Sequence, residues 1–502
     1  MNKVLLLILD GWGVANPGPG NYIACAKTPN YDCYIKKYPN SKNQASGNSV
    51  GLPRGVQGNS EVGHLHIGAG RIVWQPFEKI NQDIKNKKFF KNKNLLKALR
   101  QAKKNKKALH LMGLCSDEGV HSHINHLFAI LKLAKKHKIK NIFIHFFADG
   151  RDVPEKSAKK YIKLIEKQNI GKIASVVGRY YSMDRDQNYE RTKKAYDMLT
   201  VGSGFVAKSA ISAVNQAYKR GDKTDYYIKP TIIGPSFRPI QDNDTVIFFN
   251  FRTDRPRQLT KAFTQKNFRN FQRKKFPKTN FYTMTRVDKK IQCQYFYKEE
   301  KIRNNLAEVL SKNNKRQLRL AETEKYAHVT YFFNSQIEKP YKGESRVLIP
   351  SPKVSSYDLK PEMSAEKITK EAIRQIQSNK YDFILINFAN CDLVGHSAKK
   401  KAIISAVETV DKCVGKIVDK AKKNGYTAII TADHGSAEEK LYKNGTPKPA
   451  HSSNPVNFII ITDKKIRLRN GHQGDVAPTI LDFFGIKKPK VMTGKSLVYN
   501  KK

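Results

Sequence analysis

The chain has 502 residues, 39% hydrophobic and 10% aromatic, with 93 Lys and Arg against 43 Asp and Glu and a formal net charge of +50. The apolar content excludes a disordered chain, and the length exceeds what one ordinary core accommodates, so two domains are expected. A charge this large invites a nucleic-acid or anionic-membrane reading.

The chain opens on MNKVLLLILDGWG, where six consecutive apolar residues precede Asp10. The run is too short for a signal-peptide core and predicts a buried strand. GNSEVGH then sets Ser60 among glycines. The following KINQDIKNKKFFKNKNLLKALRQAKKNKKAL carries Lys at the polar positions of helical patterns. That scatter reads as a solvated surface rather than a polyanion site. Strand-length apolar runs follow: ALHLMGL, NIFIHFF, IASVV, TVIFFNF, DFILINF, TAIITA and NFIIIT. Amphipathic stretches lie among them, including INHLFAILKLAKKH, AKKYIKLIEKQ and AIISAVETVDKCVGKIVDKAKKNG. The alternation predicts α/β layers on largely parallel sheets. Six cysteines, Cys25, Cys33, Cys115, Cys293, Cys391 and Cys413, form no CxxC pair. Reduced thiols are expected, and with no apolar run near membrane-span length so is a cytoplasmic location.

Several strand-like runs end on groups that carry chemistry. VLLLILD ends on Asp10, ILINFANCD reaches Asp392, and TAIITADH ends on Asp433 and His434. Ligands of open α/β sheets collect outside the carboxyl ends of the strands. If Asp10 meets Asp392 and Asp433, the chain between them includes an inserted domain. Asp392 and His396 in DLVGH lie one helical turn apart, and His451 follows in AHSSNP. Carboxylate and imidazole donors suit manganese or zinc. Ser60 in its glycine-flanked turn is a candidate nucleophile, and a nearby dication would help it ionise. A third set is His121, Arg151, Asp152, Arg179, Arg185, Arg252 and Arg255, several of them directly after apolar runs. Guanidinium forks match carboxylate and phosphate oxygens, so a small, multiply anionic substrate is implied.

Together these segments resemble the cofactor-independent (2,3-bisphosphoglycerate-independent) phosphoglycerate mutases. The resemblance runs through LILDGWG, GNSEVGHLHIGAGR, DEGVHSHINHL, DGRDV, GRYYSMDRD, NFRTDRPRQL, AETEKYAHVT, NFANCDLVGH, ADHGSAE, HSSNPV and MTGKSL, in that order. It implies an alkaline-phosphatase-like three-layer α/β domain from residues 1–75 and 298–502. A second α/β domain, 76–297, would be inserted after a strand near Trp74 and carry the substrate clamp. One manganese would use Asp10, Ser60, Asp433 and His434, and the other Asp392, His396 and His451, with zinc, cobalt or magnesium as alternatives. The clamp would comprise His121, Arg151, Asp152, Arg179, Arg185, Arg252 and Arg255, with Lys325 reaching in from the phosphatase-like domain.

The implied reaction interconverts 3-phosphoglycerate and 2-phosphoglycerate through a phosphoserine at Ser60, with Asp152 relaying protons. A monomer with no membrane or specific nucleic-acid partner is expected. The sequence departs from the family pattern at Cys391, Ser436 and Asn457, none an implied ligand, though Cys391 would set a soft thiol beside a metal. Two rival readings are a metal-dependent phosphomonoesterase of the same superfamily and a non-enzymatic polyanion-binding protein. The arginine set argues against the first, since a hydrolase need not retain its leaving group. The complete ligand set argues against the second.

Overall fold

The computed structural model describes residues 3–104, 107–298 and 301–499. The chain divides into two compact units, Met1–Gln75 with Lys301–Lys502, and Pro76–Glu300. Each is an α/β unit around an eight-stranded sheet. The eight apolar runs all form strands, and the three amphipathic stretches form the helices Ile124–Lys136, Ala158–Glu166 and Lys400–Lys423.

In the first unit the strand Lys3–Leu9 lies between Phe383–Phe388 and Tyr426–Thr431 and is parallel to both. Val4, Leu6 and Ile8 enter one core with Leu310, Val476 and Ile480. Leu5, Leu7 and Leu9 enter the other with Ile403, Val407 and Val414. A strand covered on both faces has no polar side to show, which is why its sequence is continuously apolar. Gln317–Glu322 and Glu344–Ile349 extend the sheet in parallel on one side, and Val456–Ile461 and Asn40–Gln44 in antiparallel on the other. Leu9 pairs with Phe388 and Ile8 with Thr431, so the residues after all three central strands leave the sheet at one rim. Trp74, expected near a strand, lies instead in irregular chain, where the Gln75 N–H donates to the Gly51 carbonyl.

In the second unit Thr245–Phe248, Leu109–Leu114, Ile142–Ala148 and Lys172–Gly178 are adjacent and parallel. A polar thread crosses them inside the core. Asp244 Oδ2 lies 3.2 Å from His110 Nε2, His110 Nδ1 lies 3.0 Å from His145 Nε2, and His145 Nδ1 lies 2.8 Å from Ser175 Oγ. Burial holds both imidazoles below their ordinary pKa. With neutral rings every link has one donor and one acceptor, so the thread satisfies groups that would otherwise be orphaned in the core.

Glu322, the last residue of Gln317–Glu322, is buried and accepts a hydrogen bond from Ser351 Oγ at 2.8 Å. Burial pushes its carboxyl from 4.5 up to about 7. Because the folded state holds this proton more tightly, its contribution is present below about pH 4.5 and is lost as pH rises through about 7. Glu322→Gln, which cannot ionise, should flatten the decline in thermal stability over that window. Melting curves of both proteins from about pH 5 to pH 8 test this, and parallel pH profiles would contradict it.

Candidate active site

Ser60 opens the helix Ser60–Ala69, with Asn59 as N-cap accepting from the Val62 N–H at 2.9 Å. A helix N-terminus presents unpaired N–H groups and a positive dipole end, which favour an anion. The neighbouring glycines work by close approach. A Cβ on Gly58 would stand 2.1 Å from the Ala45 carbonyl oxygen, and one on Gly63 would stand 2.6 Å from that of Asp433. Only without those side chains does the helix start fit against the strand end that bears Asp433.

Around Ser60 Oγ the charges are dense. The hydroxyl donates to Asp10 Oδ1 at 3.0 Å, lies 3.1 Å from His434 Nε2 and accepts from Lys325 Nζ at 2.6 Å. Lys325 also donates to Asp10 Oδ1 at 2.8 Å and Asp392 Oδ2 at 2.6 Å. Its place is thus at the serine, among the carboxylates. Asn387, which sequence reasoning passed over, donates to Asp10 Oδ2 at 2.9 Å. Burial opposes charge on Asp10 and Asp392, but Lys325 and the nearby imidazoles outweigh it and hold both below the ordinary carboxylate range. Burial likewise opposes charge on His434, and Asp433, Asp10 and Asp392 overcome it, raising the ring to about 10.

The three expected histidine ligands share one arrangement. Each turns Nδ1 to a backbone carbonyl, His434 to Gly435 at 3.2 Å, His396 to Pro449 at 3.0 Å and His451 to Gly58 at 2.9 Å. That contact fixes the tautomer and leaves Nε2 for a cation. The Nε2 atoms of His396 and His451 stand 3.4 Å apart, and that of His451 is 3.0 Å from Asp392 Oδ1. Asp392 Oδ1 and Asp433 Oδ2 are buried and face ring nitrogens, His451 Nε2 at 3.0 Å from the first and His64 Nδ1 at 3.3 Å from the second. The side chains fall into two groups whose potential ligand atoms lie within 4.8 Å of one another, Asp392 with His396 and His451, and Asp10 with Asp433 and His434. Buried carboxylate oxygens and facing imidazole nitrogens gathered this closely are what divalent cations satisfy, so the donor set fits metal. Asp392 itself lies in the short helix Asn390–Leu393 beyond the strand. Cys391 packs in the apolar core, where burial raises its thiol pKa, and belongs to neither group.

In the second unit the expected substrate residues gather at the carboxyl ends of four parallel strands. Asp149, missed in the sequence, organises them: Oδ1 accepts from Arg179 at 2.6 Å and from the backbone N–H groups of Arg151 and Asp152, and Oδ2 accepts from Ser116 at 2.6 Å. Arg179 also donates to Asp152 Oδ2 at 2.6 Å, yet its buried Nε and Nη2 have no partner. Arg255 donates to the Met183 carbonyl and leaves its buried Nε unpaired. Burial first, and then Arg179, Arg185 and Arg151, depress the Arg255 pKa, the mark of crowded like charge. Asp254, a second residue missed in the sequence, accepts from Arg185 at 2.9 Å and lies 3.4 Å from Arg252 Nε and 3.6 Å from His121 Nδ1. Burial, with Arg179 adding to it, takes His121 down to about 3, so its ring is neutral. Unpaired buried guanidinium donors in a crowd of cations point to an anion as the missing partner.

The family profile described as BPG-independent PGAM N-terminus matches residues 80–316, and the profile for type I phosphodiesterase / nucleotide pyrophosphatase matches residues 267–450. The 2,3-bisphosphoglycerate-independent phosphoglycerate mutase of Methanococcoides burtonii is 51% identical over 510 residues, covering 99% of this chain and 98% of its own. The Clostridium tetani protein of the same name is 48% identical over 516 residues, covering 100% of both chains. Among solved structures, Leishmania mexicana phosphoglycerate mutase, crystallised at low cobalt concentration, is 30% identical with a TM-score of 0.56, covering 100% of this chain and 98% of its own. With an alkaline-phosphatase-like fold and groups of metal-ligand type at the strand ends, the chain belongs to the 2,3-bisphosphoglycerate-independent phosphoglycerate mutases, which interconvert 3- and 2-phosphoglycerate.

Proposed function

We propose that Ser60 is the residue that carries the phosphoryl group and that the arginine set retains the glycerate while it does so. The observation that carries this reading is Ser60 Oγ itself, at a helix N-terminus with Lys325, Asp10 and His434 all within 3.1 Å. Met1–Gln75 with Lys301–Lys502 would be the metal-binding unit, and Pro76–Glu300 the substrate-holding one. Two manganese ions would be held, one by Asp10, Ser60, Asp433 and His434 and the other by Asp392, His396 and His451. Bound there, divalent cations favour the serine alkoxide and neutralise the phosphoryl oxygens.

The serine alkoxide forms its bond to phosphorus as the bond from phosphorus to the 3-oxygen of glycerate breaks. Lys325 compensates the charge at Ser60 Oγ from 2.6 Å. The free donors of Arg179 and Arg255 bind glycerate oxygens and keep the molecule in place while it turns. Its 2-oxygen then attacks phosphorus, the serine–phosphorus bond breaks, and the alkoxide is restored. Asp152 passes one proton between the 3-oxygen and the 2-oxygen, held in position by Arg179 at 2.6 Å. His121, neutral at working pH, accepts or donates a hydrogen bond without adding to the positive charge. We take a monomer as the working form. We place the reaction in the cytoplasm, and among the described residues no helix is long and apolar enough to cross a membrane.

Two outcomes test this reading. Exhaustive chelation should abolish mutase activity, and manganese should restore it with about two ions bound per chain at saturation. Full activity with an empty site by metal analysis would overturn the metal assignment. Retention of glycerate makes the transfer intramolecular. Carbon-labelled, phosphate-unlabelled substrate mixed with its complement should give 2-phosphoglycerate with little exchange of labels and little free phosphate. Ser60→Ala should remove conversion by more than about a thousandfold, while Arg252→Ala should raise the fraction of turnovers ending in hydrolysis. Extensive crossover in the unmodified protein would mean that glycerate leaves before recapture, and predominant release of phosphate would favour the phosphomonoesterase.

A further inference from the structure

Lys440 is fully buried, and among the described residues its ammonium has no carboxylate within ion-pair distance. A cation in such a place is disfavoured unless its three N–H donors are all used. All three are used. Nζ donates to the Gly395 carbonyl at 3.1 Å, to the Ala450 carbonyl at 3.2 Å and to Ser436 Oγ at 3.0 Å. Gly395 immediately precedes His396, Ala450 immediately precedes His451, and Ser436 comes two residues after His434. The lysine touches none of the imidazoles, yet its two carbonyl bonds tie together the backbone directly before His396 and directly before His451, while its third goes to the Ser436 side chain on its own loop. The loop that bears it is fixed in turn, since the Lys440 N–H donates to the Gly20 carbonyl and its own carbonyl accepts from the Lys448 N–H. Glu438 secures the same turn from the other side, accepting from the N–H groups of Gly13 and Ser436.

We infer that Lys440 is a positioning residue for the cation held by Asp392, His396 and His451, setting the separation of the two histidine loops through their backbone carbonyls. The inference rests on the two-cation reading above. The 3.4 Å between the Nε2 atoms of His396 and His451 is a distance that neither ring enforces by itself, because each rides on a different loop. Asp10, Asp433 and His434 are positioned otherwise, through the strand ends and through bonds from the Gly11 N–H and Gln473. Loss of Lys440 should therefore weaken one cation site and spare the other. Such supports of metal ligands typically govern about ten- to a hundredfold in affinity.

The test is titration of the metal-free full-length chain with cobalt at about pH 7, following the visible spectrum and binding heat together. Burial brings the Lys440 ammonium down to about 8, so that pH reads the charged form. The unmodified protein should bind two cobalt ions. Lys440→Met, of similar length and without donors, should bind one as before and the other about ten- to a hundredfold more weakly. At saturating metal it should regain most of its kcat with KM for phosphoglycerate unchanged. Lys440→Arg, which keeps donors and charge, should recover part of the lost affinity. If Lys440→Met fails to fold, Ser436→Ala, which removes one of the three acceptors, should weaken the same single site by a smaller factor. Two sites of unaltered affinity in these variants, or equal weakening of both sites, would overturn the inference and leave the two-cation reading standing. One cobalt ion or none in the unmodified chain would remove the two-cation reading itself.

Discussion

Three carboxylates, Asp10, Asp392 and Asp433, are buried together at the rim of one sheet. Two like charges about 4 Å apart repel by roughly 4 kcal/mol even at an effective dielectric near 20. That repulsion is the constraint from which the rest of the first unit follows. Lys325 and His434 are placed where they offset it, and His64 and His451 set ring nitrogens against the remaining oxygens. The position of Ser60 has the same origin, since its hydroxyl bridges the lysine and Asp10 within this field. On the reading proposed above, an oxygen nucleophile there would lie next to cations, and its helix N-terminus would add to the pull on an incoming phosphate.

The second unit presents the opposite imbalance. Arg179 and Arg255 are buried with unused donors, and Asp149 and Asp254 neutralise only part of the charge around them. One unit therefore calls for cations and the other for an anion. In the proposed reading, divalent metal answers the first demand and a phosphorylated hydroxy acid the second. The overall +50 acts differently, being spread over solvent-facing helices such as Lys93–Lys104, where lysine stems flank a buried stripe of Leu95, Ala98, Leu99 and Ala102.

Much of this was visible in the residues because the strongest signals are local. A continuous apolar run such as VLLLIL can satisfy its periodicity only as a strand covered on both faces, and a carboxylate directly after it falls at the sheet rim. What stayed hidden depends on distant contacts. Asn40–Gln44, of sequence NSKNQ, has no apolar pattern and is a strand because Val456–Ile461 on one side and Gly471–His472 on the other offer it ladders. Asp149, Asp254 and Lys440 are single charged residues whose roles are set by partners on other loops. The glycines beside Ser60 were legible as necessary, but their reason, contact with Ala45 and Asp433, is tertiary. Likewise His110 and His145 carry no motif, and only the alignment of four strands joins them to Asp244 and Ser175.

The place of Lys3–Leu9 at the centre of its sheet bears on how the protein is made. Its neighbours begin at Phe383 and Tyr426, whereas Pro76–Glu300 is one continuous stretch. At roughly 5–20 residues per second of translation, this strand leaves the ribosome roughly twenty to eighty seconds before its first partner exists. Throughout that interval the inserted stretch can complete its own sheet, while VLLLIL lacks both neighbouring strands and has only the early members of its two cores, such as Trp12, Tyr31 and Ile67, to cover it. A β-prone, uncharged six-residue segment is an aggregation hazard when exposed. The nascent chain thus gives a chaperone a single early sequence to shield, and the delay between that sequence and its partners is written into the gene order of the fold.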